Sequence, residues 1–252
     1  MRPPSGLFTA RTERLGVVSS TMDEARARAQ AGAPHGTTVV ARQQLAGRGR
    51  HGRTWASAAG AGLFLTTLLR PPAGANLAGL SLCAGAAVLM AVHALGATAA
   101  RIKWPNDILV GEHKLAGILA ERLPPALAGP EGGHAVLVGV GLNLASQPPY
   151  IGLAALGLSQ NPDAAARQVT DALEAAYDAW LGAGLGPTLK VFAEHHALAG
   201  ARVRAQDLTG RAIVGEVLGI ATDGGLMLSV DGHPTTIYAG EVARVRPVEP
   251  QA

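Results

Sequence analysis

At 252 residues, with 48% hydrophobic and 15% charged residues, the chain can bury a sizeable core, and one large domain followed by a small one is the natural expectation. A formal net charge of +3 is too modest for bulk binding to nucleic acid, and the single Cys83 excludes an intramolecular disulfide framework and a multi-cysteine metal site. Met1-Arg2-Pro3-Pro4 leads into no apolar signal segment, so a reducing, cytoplasmic setting is expected.

Ser19 or Ser20 can cap a helix over residues 22–31, which Gly32 and Pro34 end. The β-branched stretch 37–41 predicts a strand running into a glycine-rich loop, and 63–69 a second strand closed by Pro71-Pro72. From Pro71 to Ala100 no residue carries a formal charge, long enough to span a bilayer, but Asn76, Ser81 and His93 interrupt it and Gly and Ala dominate. A buried helix over 77–95 is the better reading, with Cys83 a buried structural thiol inside it. Strand segments follow at 101–104 and 108–110, broken by Pro105-Asn106-Asp107, and Gly111-Glu112-His113 turns the chain into 114–121. The nearly continuous apolar run 135–144 reads as a strand covered on both faces. Helical spacing of Val169, Leu173, Ala176, Tyr177 and Trp180 predicts a helix over 163–181, and 188–198 a further one. Beyond Gly200 the texture changes to short β runs at 202–205, 211–220, 226–230, 235–238 and 242–245. Turns at Thr209-Gly210, Asp223-Gly224-Gly225 and Asp231-Gly232-His233-Pro234 separate them, which suggests a small barrel.

The most informative segment is Gly47-Arg48-Gly49-Arg50-His51-Gly52-Arg53-Thr54-Trp55. Its glycines let the backbone bend and approach a ligand, and its guanidiniums are planar forks suited to carboxylate or phosphate. Between Glu24 and Asp107 there is no acidic residue at all. The literal Gly47-x-Gly49-x-x-Gly52 match to a dinucleotide fingerprint fails, because no helix opens there and no carboxylate follows about twenty positions on. An anion-closing loop with Trp55 as a stacking face is favoured over a solvated Arg/Gly turn or an RNA-contacting loop.

A second cluster, Lys103-Trp104-Pro105-Asn106-Asp107, packs a cation, an aromatic face, an amide and a carboxylate into five residues. The chain has three lysines against eighteen arginines, and two of the three, Lys103 and Lys114, fall close together. From neighbouring strands they could face one site, with Gly117 allowing close backbone approach. Asn143 ends an apolar strand and needs partners, whether a ligand or a loop. No His, Cys, Asp and Glu set has metal-ligand spacing, and no nucleophile motif of the Gly-x-Ser-x-Gly kind is present.

Taken together, Gln44–Trp55, Lys103–Asp107, Lys114-Leu115-Ala116-Gly117-Ile118-Leu119 and Gly139–Leu144 stand in the order and spacing of biotin–protein ligases, which the chain resembles strongly over residues 15–145 and more loosely beyond. The resemblance implies an α+β fold: a mixed β-sheet catalytic domain flanked by helices (1–199, of the class II synthetase-like biotin/lipoate ligase fold) and a C-terminal SH3-like β-barrel (200–252). It is closest to the monofunctional type, which lacks a DNA-binding domain.

It further implies ATP and biotin as substrates, Mg2+ with the nucleotide, a biotinyl-adenylate intermediate, and a lysine of a biotin carboxyl carrier protein as acceptor. No DNA and no membrane are implied, and pairing into a homodimer through sheet edges stays open. The residue roles carried over are Lys114, Arg48 and Arg50 as catalytic. Ser20, Thr21, Gln44, Gly47, Arg48, Lys114 and Gly117 would bind biotin; Arg50, Arg53, Trp55, Lys103, Asn106 and Asn143 would bind ATP and the adenylate; Asp107 is a candidate metal helper. Members of the family often follow the Ser-Thr pair with Asn, where this chain has Met22. A lipoate–protein ligase of the same fold and a non-catalytic biotin or nucleotide sensor are the alternatives.

Overall fold

The computed structural model describes residues 6–55, 58–129, 133–159, 161–206, 210–238 and 242–244. A short helix α1 (Leu7–Ala10) precedes strand β1 (Thr12–Val18) and helix α2 (Thr21–Gln30). Strand β2 (Thr38–Gln44) runs into a two-stranded hairpin, β3 (Gly47–Arg48) and β4 (Thr54–Trp55), before β5 (Gly62–Leu69) and helix α3 (Leu80–Ala94). Three further strands follow, β6 (Arg101–Lys103), β7 (Asp107–Val110) and β8 (His113–Arg122), then β9 (Val136–Asn143). Helices α4 (Pro162–Ala183) and α5 (Gly186–His195) lead to β10 (Arg202–Gln206), β11 (Ala212–Ile220), β12 (Leu226–Val230), β13 (His233–Ile237) and β14 (Val242–Arg244).

Seven strands form the sheet that carries the site, in the order β1-β2-β5-β9-β8-β7-β6, with β1 parallel to β2 and the other pairs antiparallel. The central strands β5 and β9 are buried along their length apart from Gly141, as their unbroken apolar runs require. On one face Leu63, Leu65, Leu69 and Val138 pack with Val88, Val92, Val169 and Tyr177 of α3 and α4; on the other, Leu68, Val39 and Leu137 pack with Met22, Ala25 and Ala29 of α2. Cys83 is buried within the first cluster, and burial pushes its thiol up to about 11, so it stays an unreactive thiol at neutral pH.

Ser20 caps α2, its Oγ accepting from the Met22 amide, with Asp23 and Glu24 in the first turn and Arg28 in the last, as the helix dipole favours. Helix α3 has 15 residues, and no described helix is long and apolar enough to cross a membrane. Strand β1 lacks a period-two pattern because it is an edge strand, mostly exposed or half-exposed on both faces. Helix α5 stops at His195, three residues before the expected end, because the Ala197 amide donates to the Ile102 carbonyl and draws the chain onto the β6 edge.

The C-terminal strands make one antiparallel sheet ordered β13-β12-β11-β10-β14. The expected closed barrel is not present among the described residues: no pairing joins β13 to β14. Val245 and the Thr209 turn position lie outside the described residues. Val203, Val217, Leu226, Leu228 and Val242 of this sheet share one apolar cluster with Leu80, Leu82 and Ile102.

Candidate active site

The polar end of the site forms where α2 meets β2. Gln44 Oε1 accepts from the Thr21 amide at 2.7 Å, from Thr21 Oγ1 at 3.0 Å and from Ser20 Oγ at 3.4 Å. Thr66 on β5 donates to Thr21 Oγ1 at 2.9 Å. Ser20, Thr21 and Thr66 are buried, so every exchange of partners here is high-stakes, and a ligand end that both donates and accepts suits it. From this end a narrow cavity of about 50 Å³ runs past Met22, Leu65, Ile118, Leu119, Gly139, Val140 and Gly141 to a mouth formed by Arg48, Arg50, Trp55 and Lys114.

The glycine-rich segment is a hairpin, Gly47 opposite Trp55 and Arg48 opposite Thr54. A Cβ at Gly47 would stand 2.5 Å from the Trp55 carbonyl oxygen, so the pairing demands glycine there. At the tip, His51 and Gly52 have φ of 55° and 72°, the left-handed region. Trp55 then lays its indole across β8 and β9. A Cβ on Gly141 would be 2.5 Å from Trp55 Cε2, and one on Gly117 2.8 Å from Cζ3. Those two glycines are the seat of the indole. Its Nε1 is buried with no hydrogen-bond partner among the described residues, a state that costs about 1–3 kcal/mol until an acceptor arrives.

Lys114, near the start of β8, places Nζ 2.6 Å from Asp107 Oδ1 and 5.1 Å from the centroid of the Trp55 ring. Arg50 Nη1 donates to Asn106 Oδ1 at 3.3 Å, and Asn106 Nδ2 donates to the Ile118 carbonyl at 2.7 Å. Arg48 reaches Asp23 in the first turn of α2 at 2.7 Å. Beyond Lys114 lies a second, wider cavity of about 260 Å³, lined among others by His51, Arg53, Lys103, Asp107, Tyr150 and Val242. The two cavities share Gly49, Arg50, Trp55, Asn106 and Lys114. Their combined lining sets five cations, Arg48, Arg50, Arg53, Lys103 and Lys114, against one carboxylate, Asp107.

Most residues singled out in the sequence therefore line this double cavity. Two do not. Gly47, on the first strand of the hairpin, lines neither cavity, and Asn143 is buried, its Nδ2 donating to the Lys114 carbonyl at 3.1 Å, so it fixes the backbone of the lysine rather than facing the cavity. Trp104 has its indole in the core rather than presented as an open aromatic face, and its bond to Pro105 is cis. Asp107 spends an oxygen on Lys114, and among the described residues no group of three or more His, Cys, Asp or Glu could hold a metal ion. Sequence reasoning missed Tyr150, Asp23 and Leu65, and it noted Met22 and Gly139 without assigning them to the apolar floor of the cavity. Alternate glycines at 139 and 141 in an apolar strand were the available signal, since they mark close approach by something bulky.

Residues 15–143, half of the chain, match the Biotin/lipoate A/B protein ligase family. The biotin–[acetyl-CoA-carboxylase] ligase of Mycobacterium tuberculosis is 35% identical over 272 aligned positions, which cover 98% of this chain and 98% of that protein. The chain belongs to the biotin/lipoate A/B protein ligase family. It is a ligase. The biotin protein ligase of Aquifex aeolicus, solved in complex with biotin and ATP, superposes with a TM-score of 0.78 at 24% identity, over 93% of this chain and 98% of that one. The Leishmania major biotin protein ligase, solved in complex with biotinyl-5-AMP, has a TM-score of 0.59 at 25% identity, covering 90% and 98%. The fold is thus the α+β fold with a mixed sheet and flanking helices that the resemblance implied, with an antiparallel sheet in place of the expected closed barrel among the described C-terminal residues.

Proposed function

We propose that this ligase joins biotin to a lysine of a biotin carboxyl carrier domain through a biotinyl-adenylate. The observation that carries the proposal is that Lys114 stands where a narrow cavity with a hydrogen-bonding blind end meets a wide cationic one. The first fits biotin, its cyclic urea against Ser20, Thr21 and Gln44 and its carboxylate toward Arg48 and Lys114. The second fits ATP, with Arg53 and Lys103 toward the phosphates and Asn106 toward the base. In the first step a carboxylate oxygen attacks the α-phosphorus and the bond to pyrophosphate breaks. Two anions must meet for this. At ~4 Å and an effective dielectric near 20 they repel by about 4 kcal/mol before any bond forms. Lys114 and Arg50, held in place beforehand, offset that repulsion and stabilise the charge that builds in the transition state.

The mixed anhydride hydrolyses readily in water, so the Gly47–Trp55 hairpin serves as its cover, with Arg50 and Trp55 against the intermediate. In the second step the acceptor lysine amine attacks the biotinyl carbonyl and AMP leaves. Magnesium enters with ATP as part of the substrate, an ion that is held largely through the phosphates.

The proposal is tested by incubating the protein with MgATP, a biotin carrier domain and either radiolabelled biotin or radiolabelled lipoate. Label from biotin on the carrier, dependent on ATP, is expected. Label from lipoate with none from biotin would replace biotin with lipoate as the substrate.

A further inference from the structure

The turn between β6 and β7 bears three groups of the nucleotide half, Lys103, Asn106 and Asp107, within five residues. Strand pairing fixes its ends, Lys103 opposite Asp107. Its middle is fixed from far along the chain. Trp104 is 2% exposed, and its Nε1 donates to the Gly224 carbonyl at 3.0 Å, across 120 positions of sequence.

Gly224 sits in the turn between β11 and β12 of the C-terminal sheet, and that turn is braced on its own account. The Ala221 amide donates to the Gly225 carbonyl at 2.8 Å, the Gly225 amide to Asp223 Oδ1 at 3.1 Å, and Tyr238 Oη to Asp223 Oδ2 at 2.9 Å. Gly224 itself has φ of +95° and lies so close to α3 that a Cβ would be 3.0 Å from Leu82 Cδ1. The acceptor carbonyl therefore sits on a turn fixed from both sides.

We propose that the 221–225 turn is a positioning element for the nucleotide half of the site, acting through the Trp104 indole on Asn106 and Asp107. The proposal rests on the biotin ligase reading above. A hydrogen bond from the indole nitrogen adds a directional constraint to the packing that buries the ring. Asn106, two residues on, holds Arg50 and the Ile118 carbonyl, and Asp107 holds Lys114. A slip of about 1 Å at reacting groups can cost on the order of a hundredfold in rate. The blind end of the biotin cavity, Ser20, Thr21 and Gln44, rests on α2 and β2 instead, so the effect falls more on ATP and turnover than on biotin.

The experiment uses full-length Trp104→Phe, Asp223→Ala, their double variant and Asp223→Asn, which keeps the oxygen for the Gly225 amide. Biotin-dependent pyrophosphate release gives kcat and the KM for ATP, calorimetry gives biotin affinity without ATP, and amide exchange at residues 103–107 reports the turn independently of any substrate. We expect Trp104→Phe to lower kcat/KM for ATP by about tenfold or more. Asp223→Ala should lower it a few-fold, Asp223→Asn should recover most of that, and the double variant should be no worse than Trp104→Phe. Biotin affinity should stay within about twofold, and exchange at 103–107 should quicken in the impaired proteins. Unchanged ATP kinetics in Asp223→Ala, additive losses in the double variant, or parallel losses of biotin affinity and Tm would overturn the proposal. A wild type silent with biotin would refute the ligase reading, while exchange at 103–107 would still decide whether the turn is braced as described.

Discussion

Lys114 is held by three contacts of different kinds. Asp107 pairs with its ammonium, the Trp55 face lies beside it, and Asn143 fixes its carbonyl. An ammonium so constrained spends little further entropy when two anions arrive, which is the meaning of preorganisation at this site. Lys114→Ala is therefore expected to slow adenylation by ~10²–10³, the scale of losing one preorganised donor, while the fold survives because the side chain is only half-buried. Near-normal pyrophosphate release would remove Lys114 from the mechanism. Its choice over arginine was readable in a chain with so few lysines. Its ion pair with Asp107 was not, because a bulge between Ile108 and Leu109 shifts the β7–β8 register and sequence gives no measure of that.

At the scale of elements, the hairpin and the two glycine-bearing strands are one device. Gly117 and Gly141 leave the space the Trp55 indole fills, so Gly141→Val should unseat the indole and raise the adenylate's hydrolysis rate. Biotin-dependent ATP consumption without carrier would then exceed the stoichiometric amount in the variant and not in the wild type. Arg50→Gly removes the bond to Asn106 and one guanidinium from the mouth; free adenylate should escape and label lysines indiscriminately. Labelling confined to the carrier domain at normal rate would contradict a retaining role for the hairpin. The helices and central strands were legible because burial on one or both faces writes itself into periodicity, as in Val169 to Trp180 and in 135–144. β1 was not, since an edge strand open on both faces leaves no pattern. Trp104 misled for a related reason: beside polar neighbours it read as part of a ligand face, and its distant partner Gly224 is invisible to local spacing.

At the scale of the molecule, stability is tied to two histidines that line neither cavity. His35 packs against Phe8 and Tyr177, and its Nδ1 accepts from the Arg70 amide at 3.0 Å, so protonation would break a bond as well as charge a half-buried ring. Burial, with Arg11 and Arg70 nearby, pulls it down to about 4; burial alone does the same to His196. Both folded values lie below the ordinary one near 6.5, so the unfolded chain binds more protons between about pH 4 and 6.5. The stabilisation is complete above that window and is lost as pH falls through it. Urea midpoints should drop from pH 7 to pH 5, and His196→Asn should flatten the drop; a midpoint that holds or rises would contradict the assignment. The proposed division at 199/200 is one of topology, since Val203, Leu226 and Val242 share an apolar cluster with Leu80 and Ile102, and unfolding is expected as one transition.

The central claim is that the double cavity makes an adenylate at Lys114 and keeps it. Its most direct measurement is a single-turnover reaction of the wild-type chain with biotin and MgATP and no acceptor, followed by recovery of the nucleotide that remains with the protein. One equivalent of pyrophosphate per chain, with an equal amount of biotinyl-AMP bound, is expected. Biotin-independent release of pyrophosphate, or biotin-dependent release with no adenylate retained on the protein, would contradict it.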